Sequence, residues 1–205
     1  MKISAQGIGK KFIQEWIFRG LNAEFDIQAP TAITGPNGSG KSTLLQILSG
    51  QNLPTEGQIS YSVNDKLIPA EEVYKNLSIA APYLELIEEF TLDELLNFHF
   101  KFKPLAKGLS IAEFKALTFL QDQGRKEIKK FSSGMKQRLK LGLCFFTQAE
   151  ICLLDEPTSN LDEFGVNWYL EHIEQVIKSK LVIISSNQRI EYGCCKQIVD
   201  IPNFK

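Results

Sequence analysis

"GPNGSGKST", residues 35–43, is the stretch whose reading decides the fold. An apolar "PTAIT" (30–34) precedes it, and "KSTLLQILSG" (41–50) follows with helical spacing and a closing glycine. The glycines therefore sit between a strand and a helix. The spacing Gly35-x-x-x-x-Gly40-Lys41-Ser42 fits the P-loop pattern. Its chemistry needs these residue types. Glycine lets the backbone N–H groups of Gly35, Pro36, Asn37, Gly38, Ser39 and Gly40 (proline excepted) curl round a phosphate without Cβ clashes. The helix beginning near Lys41 aims its positive end at the same oxygens, with Thr43 in its first turn. Lys41 is expected to neutralise the β- and γ-phosphates, and the Ser42 hydroxyl to ligate Mg²⁺. A glycine-rich turn that merely preceded a lysine would not keep the whole pattern in register between these flanks.

A nucleotide site also needs an acid at the end of a second buried strand. "ICLLDE" (151–156) supplies it: four apolar residues, then Asp155 and Glu156. Asp155 is placed to hold Mg²⁺ through water, and Glu156 to polarise an attacking water. A third apolar run, "LVIISSN" (181–187), ends in Asn187. Strands apolar on both faces belong to parallel sheets, whose ligands sit beyond the carboxyl ends.

Outward from these motifs the chain is ordinary. It has 205 residues, enough for one domain with a good core, and a net charge of −1 that gives no reason to expect a nucleic-acid partner. Apolar stretches such as "LGLCFF" (141–146) fall far short of the ~20 residues of a membrane span, and no signal peptide is evident, so a cytoplasmic chain is expected. Cys144 and Cys152 lie in apolar runs and read as core residues, and the adjacent Cys194 and Cys195 as reduced bystanders.

Residues 1–27 alternate in parts and read as antiparallel strands, with a turn at the glycine-rich 7–9. From about Thr91 to Phe146 the texture is helical. Thr91 with Glu94, and Ser110 with Glu113, are capping boxes opening two helices, the second spanning "SIAEFKALTFLQ" (110–121). "SSGMKQRLKLGLCFF" (132–146) gives a third. Strand character returns at 151–155, 181–185 and 197–201, with a helix through 163–178. The expected fold is α/β: a P-loop NTPase core with a mainly parallel sheet, an N-terminal antiparallel β subdomain, and a helical subdomain inserted at about 83–146 of a single domain covering 1–205.

"GPNGSGKST", "FSSGMKQR" (131–138), "LLDEPTSNLD" (153–162) and the "IISS" strand stand in the order and separation of an ABC-type ATPase, which the chain resembles over essentially its whole length. The family's LSGGQxxR is matched with Phe131, Ser133 and Met135 substituted. The resemblance implies that Ser132 and Gly134 contact the γ-phosphate of ATP held by a partner subunit, so the working unit is a dimer with ATP sandwiched between copies. A homodimer is the default. Asp162, in the family's D-loop, reaches across the dimer; before a helix it is also an ordinary N-cap. Arg138 reads as a structural ion-pair residue. Phe12 takes the place of the aromatic that stacks on adenine, with core packing or stacking by Trp16 as alternatives.

Two departures from the family stand out. Its Q-loop glutamine is missing, with Pro82 or Tyr83 at that place, and its last catalytic histidine is Asn187. Asparagine still donates a hydrogen bond but neither carries charge nor moves a proton, so ATP binding is expected to survive and hydrolysis to be slower. His99, on the apolar face of a helix, and mid-helix His172 are not expected to stand in for it.

The resemblance fits the ATP-driving subunit of a transporter whose membrane-spanning subunit is a separate chain, held at the inner face of the cell membrane. "PYLELIEEF" (82–90) suits a groove for a short helix of that subunit. The exporters' ATPases, including the haem-exporter type, look most similar. A non-transport ABC switch and a degenerate partner subunit are the alternatives.

Overall fold

The computed structural model describes residues 1–63 and 66–205. The chain opens with β1 (Lys2–Phe12) and β2 (Glu15–Asp26), then β3 (Thr31–Thr34) and α1 (Lys41–Leu48). Next come β4 (Glu56–Val63), β5 (Lys66–Ile68) and β6 (Leu77–Ala80), and then the helices α2 (Leu92–Phe102), α3 (Ile111–Leu117) and α4 (Ser133–Phe145). β7 (Ile151–Asp155), α5 (Glu163–Val176), β8 (Leu181–Ser185) and β9 (Gln197–Asp200) complete it.

Two sheets result. β2-β1-β4-β5 is antiparallel, and β6-β7-β8-β3-β9 is parallel throughout. β7 and β8 are buried along their whole length, as their unbroken apolar sequences require. One core fills the space between the two sheets and α1, with Phe18, Phe25, Leu45 and Ile183 fully buried. A second lies between the far face of the parallel sheet and α4 and α5, around Tyr169 and Phe145. The inserted helices keep a third, centred on Leu96, Phe114 and Leu139. The fold is thus α/β, with a parallel core, an antiparallel N-terminal sheet and a helical insertion. α4 serves two cores: Leu139 faces the helical one and Leu141 the sheet.

Both capping boxes form: Thr91 and Ser110 accept from the amides of Glu94 and Glu113, whose carboxylates accept in return. Two boundaries differ from expectation. The glycine-rich 7–9 stretch is not a turn. β1 runs through it, and the pairing shifts between Ala5 and Ile8 because Gly7, at φ 59, opens a bulge. The second helix stops at Leu117 rather than near 121. Phe119 turns left-handed at φ 55, which drops Leu120 into the helical core at zero exposure.

His99 is held in that insertion, its Nε2 3.4 Å from the Thr147 hydroxyl. Burial first, and then the Lys103 ammonium, push its imidazole down to about 4 from 6.5. The unfolded chain therefore takes up this proton first as pH falls. The stability due to neutral His99 is intact above about pH 6.5 and is lost towards pH 4, by about 2 kcal/mol once partial solvent access is allowed for. Urea midpoints of the native chain should drop more across that window than those of His99→Leu. Parallel pH profiles would contradict this.

Candidate functional site

The carboxyl ends of β3, β7 and β8 come together because Ile33 pairs with Ser185, and Asp155 with the same residue from the other side. The loop after β3 then passes directly into α1. Gly40 caps that helix at φ 108, where a Cβ would lie 2.3 Å from Cγ2 of Ile17. Only glycine fits between helix start and β2. Lys41, 5% exposed, folds back inside the loop, and its ammonium donates to the carbonyls of Gly35 at 2.9 Å and Pro36 at 3.3 Å. Ile17, Asn37, Gly38, Gly40, Lys41, Ser42, Thr43 and Glu156 line one cleft of about 240 Å³. Ser39 of the same loop is buried, and its hydroxyl has no partner among the described residues.

Asp155 ends β7 at 2% exposure, and among the described residues its Oδ1 has no hydrogen-bond partner. Ser42 shares a cleft with Glu156, the residue after Asp155, and a serine hydroxyl with an unpartnered carboxylate oxygen are hard oxygen donors whose chemistry fits a divalent cation such as Mg²⁺. Glu156 adopts φ 44, an uncommon conformation for a residue with a side chain, and its amide donates to Ser185 O at 2.9 Å. Asn187, just past β8, donates through Nδ2 to Oδ1 of Asn37 at 2.7 Å. The two asparagines bridge the loop and the last core strand.

Pro82 and Tyr83 follow β6, whose last residue pairs with Leu154. Tyr83 is the one that turns towards the site. Burial, then nearby Asp155, push its phenol up to about 12, against a hydrogen bond with Gln46.

Other candidates lie apart from this cleft. Ser132 caps α4, accepting from the Met135 amide at 3.2 Å, and a Cβ on Gly134 would lie 3.3 Å from the carbonyl of Asn160. Asp162 caps α5 through the Gly165 amide at 2.8 Å. Neither Ser132, Gly134 nor Asp162 lines the cleft of its own chain. Phe12 is 48% exposed, with the Lys10 ammonium 5.0 Å from its ring, and does not line the cleft either. Trp16 lies between Lys11 and Arg19. The apolar wall is Ile17, which a search for an aromatic passes over. Arg138 corrects another expectation: among the described residues it forms no ion pair, and its guanidinium sits 6.0 Å from the ring centre of Phe164. His172 is structural, bonding the Trp168 carbonyl at 2.8 Å.

Comparison with known proteins gives a consistent result. Residues 18–159 match the protein-family model described as ABC transporter. The chain is 31% identical over 195 residues to the uncharacterized ABC transporter ATP-binding protein YybJ of Bacillus subtilis, covering 92% of this chain and 86% of that one. It is 33% identical to YcbN, another such protein of that bacterium, over 81% of this chain and 54% of the relative. It is 27% identical to the daunorubicin resistance ATP-binding protein DrrA3 of Streptomyces coeruleorubidus, over 92% and 61%. The chain thus spans most of the first relative but under two thirds of the other two. Among solved structures, a putative ABC transporter ATP-binding protein from Pyrococcus furiosus aligns over the full length of both chains, with a TM-score of 0.82 and 21% identity. A bacterial ABC transporter cassette solved as a dimer aligns at 0.81 and 20% identity, over 97% of this chain and 93% of that one.

Proposed function

The chain is an ATPase that belongs to the ABC transporter family, and from that premise we propose that it powers a transporter by closing on ATP as a dimer. The observation that carries this reading is one cleft lined by the Lys41 loop, Ser42 and Glu156, with Asp155, the residue before Glu156, buried at the end of β7. In this reading the loop amides and the start of α1 cradle the phosphates, and Lys41 offsets charge on the β- and γ-phosphates. Glu156 takes the proton of a water whose oxygen attacks the γ-phosphorus, the bond to the bridging oxygen breaks, and ADP and phosphate leave. Ser42 and Asp155 would hold Mg²⁺, which would supply charge neutralisation along the phosphates. Ile17 packs beside the nucleotide, with Phe12 or Trp16 as the adenine platform.

Ser132 and Gly134 open a helix away from their own cleft, so they serve a neighbour's phosphate, and Asp162 reaches across the same seam. Two identical copies satisfy both sites. The membrane-spanning subunit is a separate chain in this reading. No described helix is long and apolar enough to cross a membrane. A groove of about 280 Å³ runs between β6, residues 84–86, α2 and α4, apolar in its floor and rimmed by Glu85, Lys103 and Lys140. Beside it stand Glu88, Glu89 and Lys136, whose ammonium pairs with the Glu88 carboxylate. The groove's lining carries acidic and basic groups over an apolar set, which suits a short amphipathic helix of mixed charge.

Asn187 slows hydrolysis in this account, because an amide tied to Asn37 brings neither charge nor a transferable proton. Phosphate release measured on the purified chain and on Asn187→His tests this: the variant should turn over roughly tenfold faster or more. Equal rates would remove Asn187 as a brake. A silent native chain woken by the histidine would favour the second reading, a regulatory subunit paired with a more competent ATPase.

A further inference from the structure

Glu191 lies four residues past Asn187 and is fully buried. Its Oε1 accepts two hydrogen bonds from Thr158, one from the amide at 2.8 Å and one from the hydroxyl. Its backbone carbonyl accepts the Tyr169 hydroxyl at 2.7 Å, which fixes the segment to α5. Thr158 sits midway between two residues held left-handed, Glu156 at φ 44 and Asn160 at φ 63. Such conformations persist only where the surroundings over-determine them, at roughly 1–3 kcal/mol each. Backbone bonds shape the turn from within, the Ser159 amide donating to Glu156 O at 3.0 Å, the Leu161 amide to Thr158 O at 3.0 Å and the Glu156 amide to Ser185 O at 2.9 Å, and two side chains brace it from outside. Glu191 grips Thr158 from the last strand's side, and Gln137 of α4 donates to the Pro157 carbonyl at 2.8 Å from the other.

We propose that Glu191 is a positioning residue of the ATPase site: its carboxylate holds the Glu156–Asp162 turn in the strained shape that aims Glu156 at the attacking water. The proposal rests on the ATPase reading of that cleft. It also ties the turn to Asn187, which bonds the phosphate loop through Asn37, so both ends of the 187–191 segment grip groups around the nucleotide. Loss of the carboxylate lets the turn relax. Binding groups on the phosphate loop stay where they are, and only the base moves.

The test is ATP turnover of the full chain carrying Glu191→Ala, Glu191→Gln or Thr158→Val, with melting temperature and affinity for a fluorescent ATP analogue measured alongside. A misplaced base should lower kcat about tenfold or more in Glu191→Ala with KM little changed. Glu191→Gln keeps an acceptor oxygen and should recover most of that loss. Thr158→Val removes one of the two bonds without opening a large cavity, and should fall between; it carries the test if Glu191→Ala fails to fold. An unchanged kcat in Thr158→Val and Glu191→Ala, a KM rising in step with the loss, or a glutamine variant as slow as alanine would overturn the proposal. A native chain that turns over while these variants match it removes Glu191 alone. A native chain with no turnover removes the ATPase reading, and this inference with it.

Discussion

Lys41→Ala should abolish measurable ATP binding. The lysine is 5% exposed and lies inside its own loop, where its ammonium meets the carbonyls of Gly35 and Pro36. A cation already desolvated at the phosphate position interacts with a nucleotide triphosphate in low dielectric, where charge-assisted hydrogen bonds are worth about 1.5–3 kcal/mol each. Losing two of them weakens affinity roughly a hundredfold to ten-thousandfold. The helix start and the loop amides remain, but they act through partial charges only. Titration calorimetry with ATP checks this, with circular dichroism confirming that the variant is folded. Unchanged affinity would refute the phosphate-cradle assignment.

Glu156→Gln should stop hydrolysis and leave binding alone. Glutamine has the same length and keeps a hydrogen-bonding end, and the backbone bond from residue 156 to Ser185 O does not involve the side chain. What disappears is the proton acceptor. General-base catalysis contributes about 10²–10⁴-fold, and turnover should fall by that factor with analogue affinity within about twofold of native. Turnover equal to the native chain's would move the base elsewhere. Tyr83 is a neutral phenol at ordinary pH, its usual 10 pushed further up to about 12, so it is not the substitute.

Much of this site was legible because its signals are local. "GPNGSGKST" specifies a loop and a helix start within nine consecutive residues, directly after the strand at 31–34, and "ICLLD" and "LVIIS" declare buried parallel strands by their apolar runs. The capping boxes each span four residues, Thr91–Glu94 and Ser110–Glu113, and form as expected. What sequence missed depends on distant partners. Ile17 matters because Gly40 presses against it, a contact between β2 and α1. Glu191 looks like one more polar residue after the last core strand. Its role rests on Thr158, 33 positions earlier in the chain. Gly7 reads as a turn from composition, yet two neighbouring strands pair across it and make it a bulge. Arg138 finds a ring rather than a carboxylate for the same reason, since α5 brings Phe164 to it.

Sedimentation of Glu156→Gln with and without Mg²⁺-ATP tests the central claim most directly, because hydrolysis no longer reopens what ATP closes. The account predicts a 23.2 kDa monomer without nucleotide and a species of about twice that mass with it. A variant that binds ATP by calorimetry yet sediments as a monomer at every nucleotide concentration would contradict the shared site.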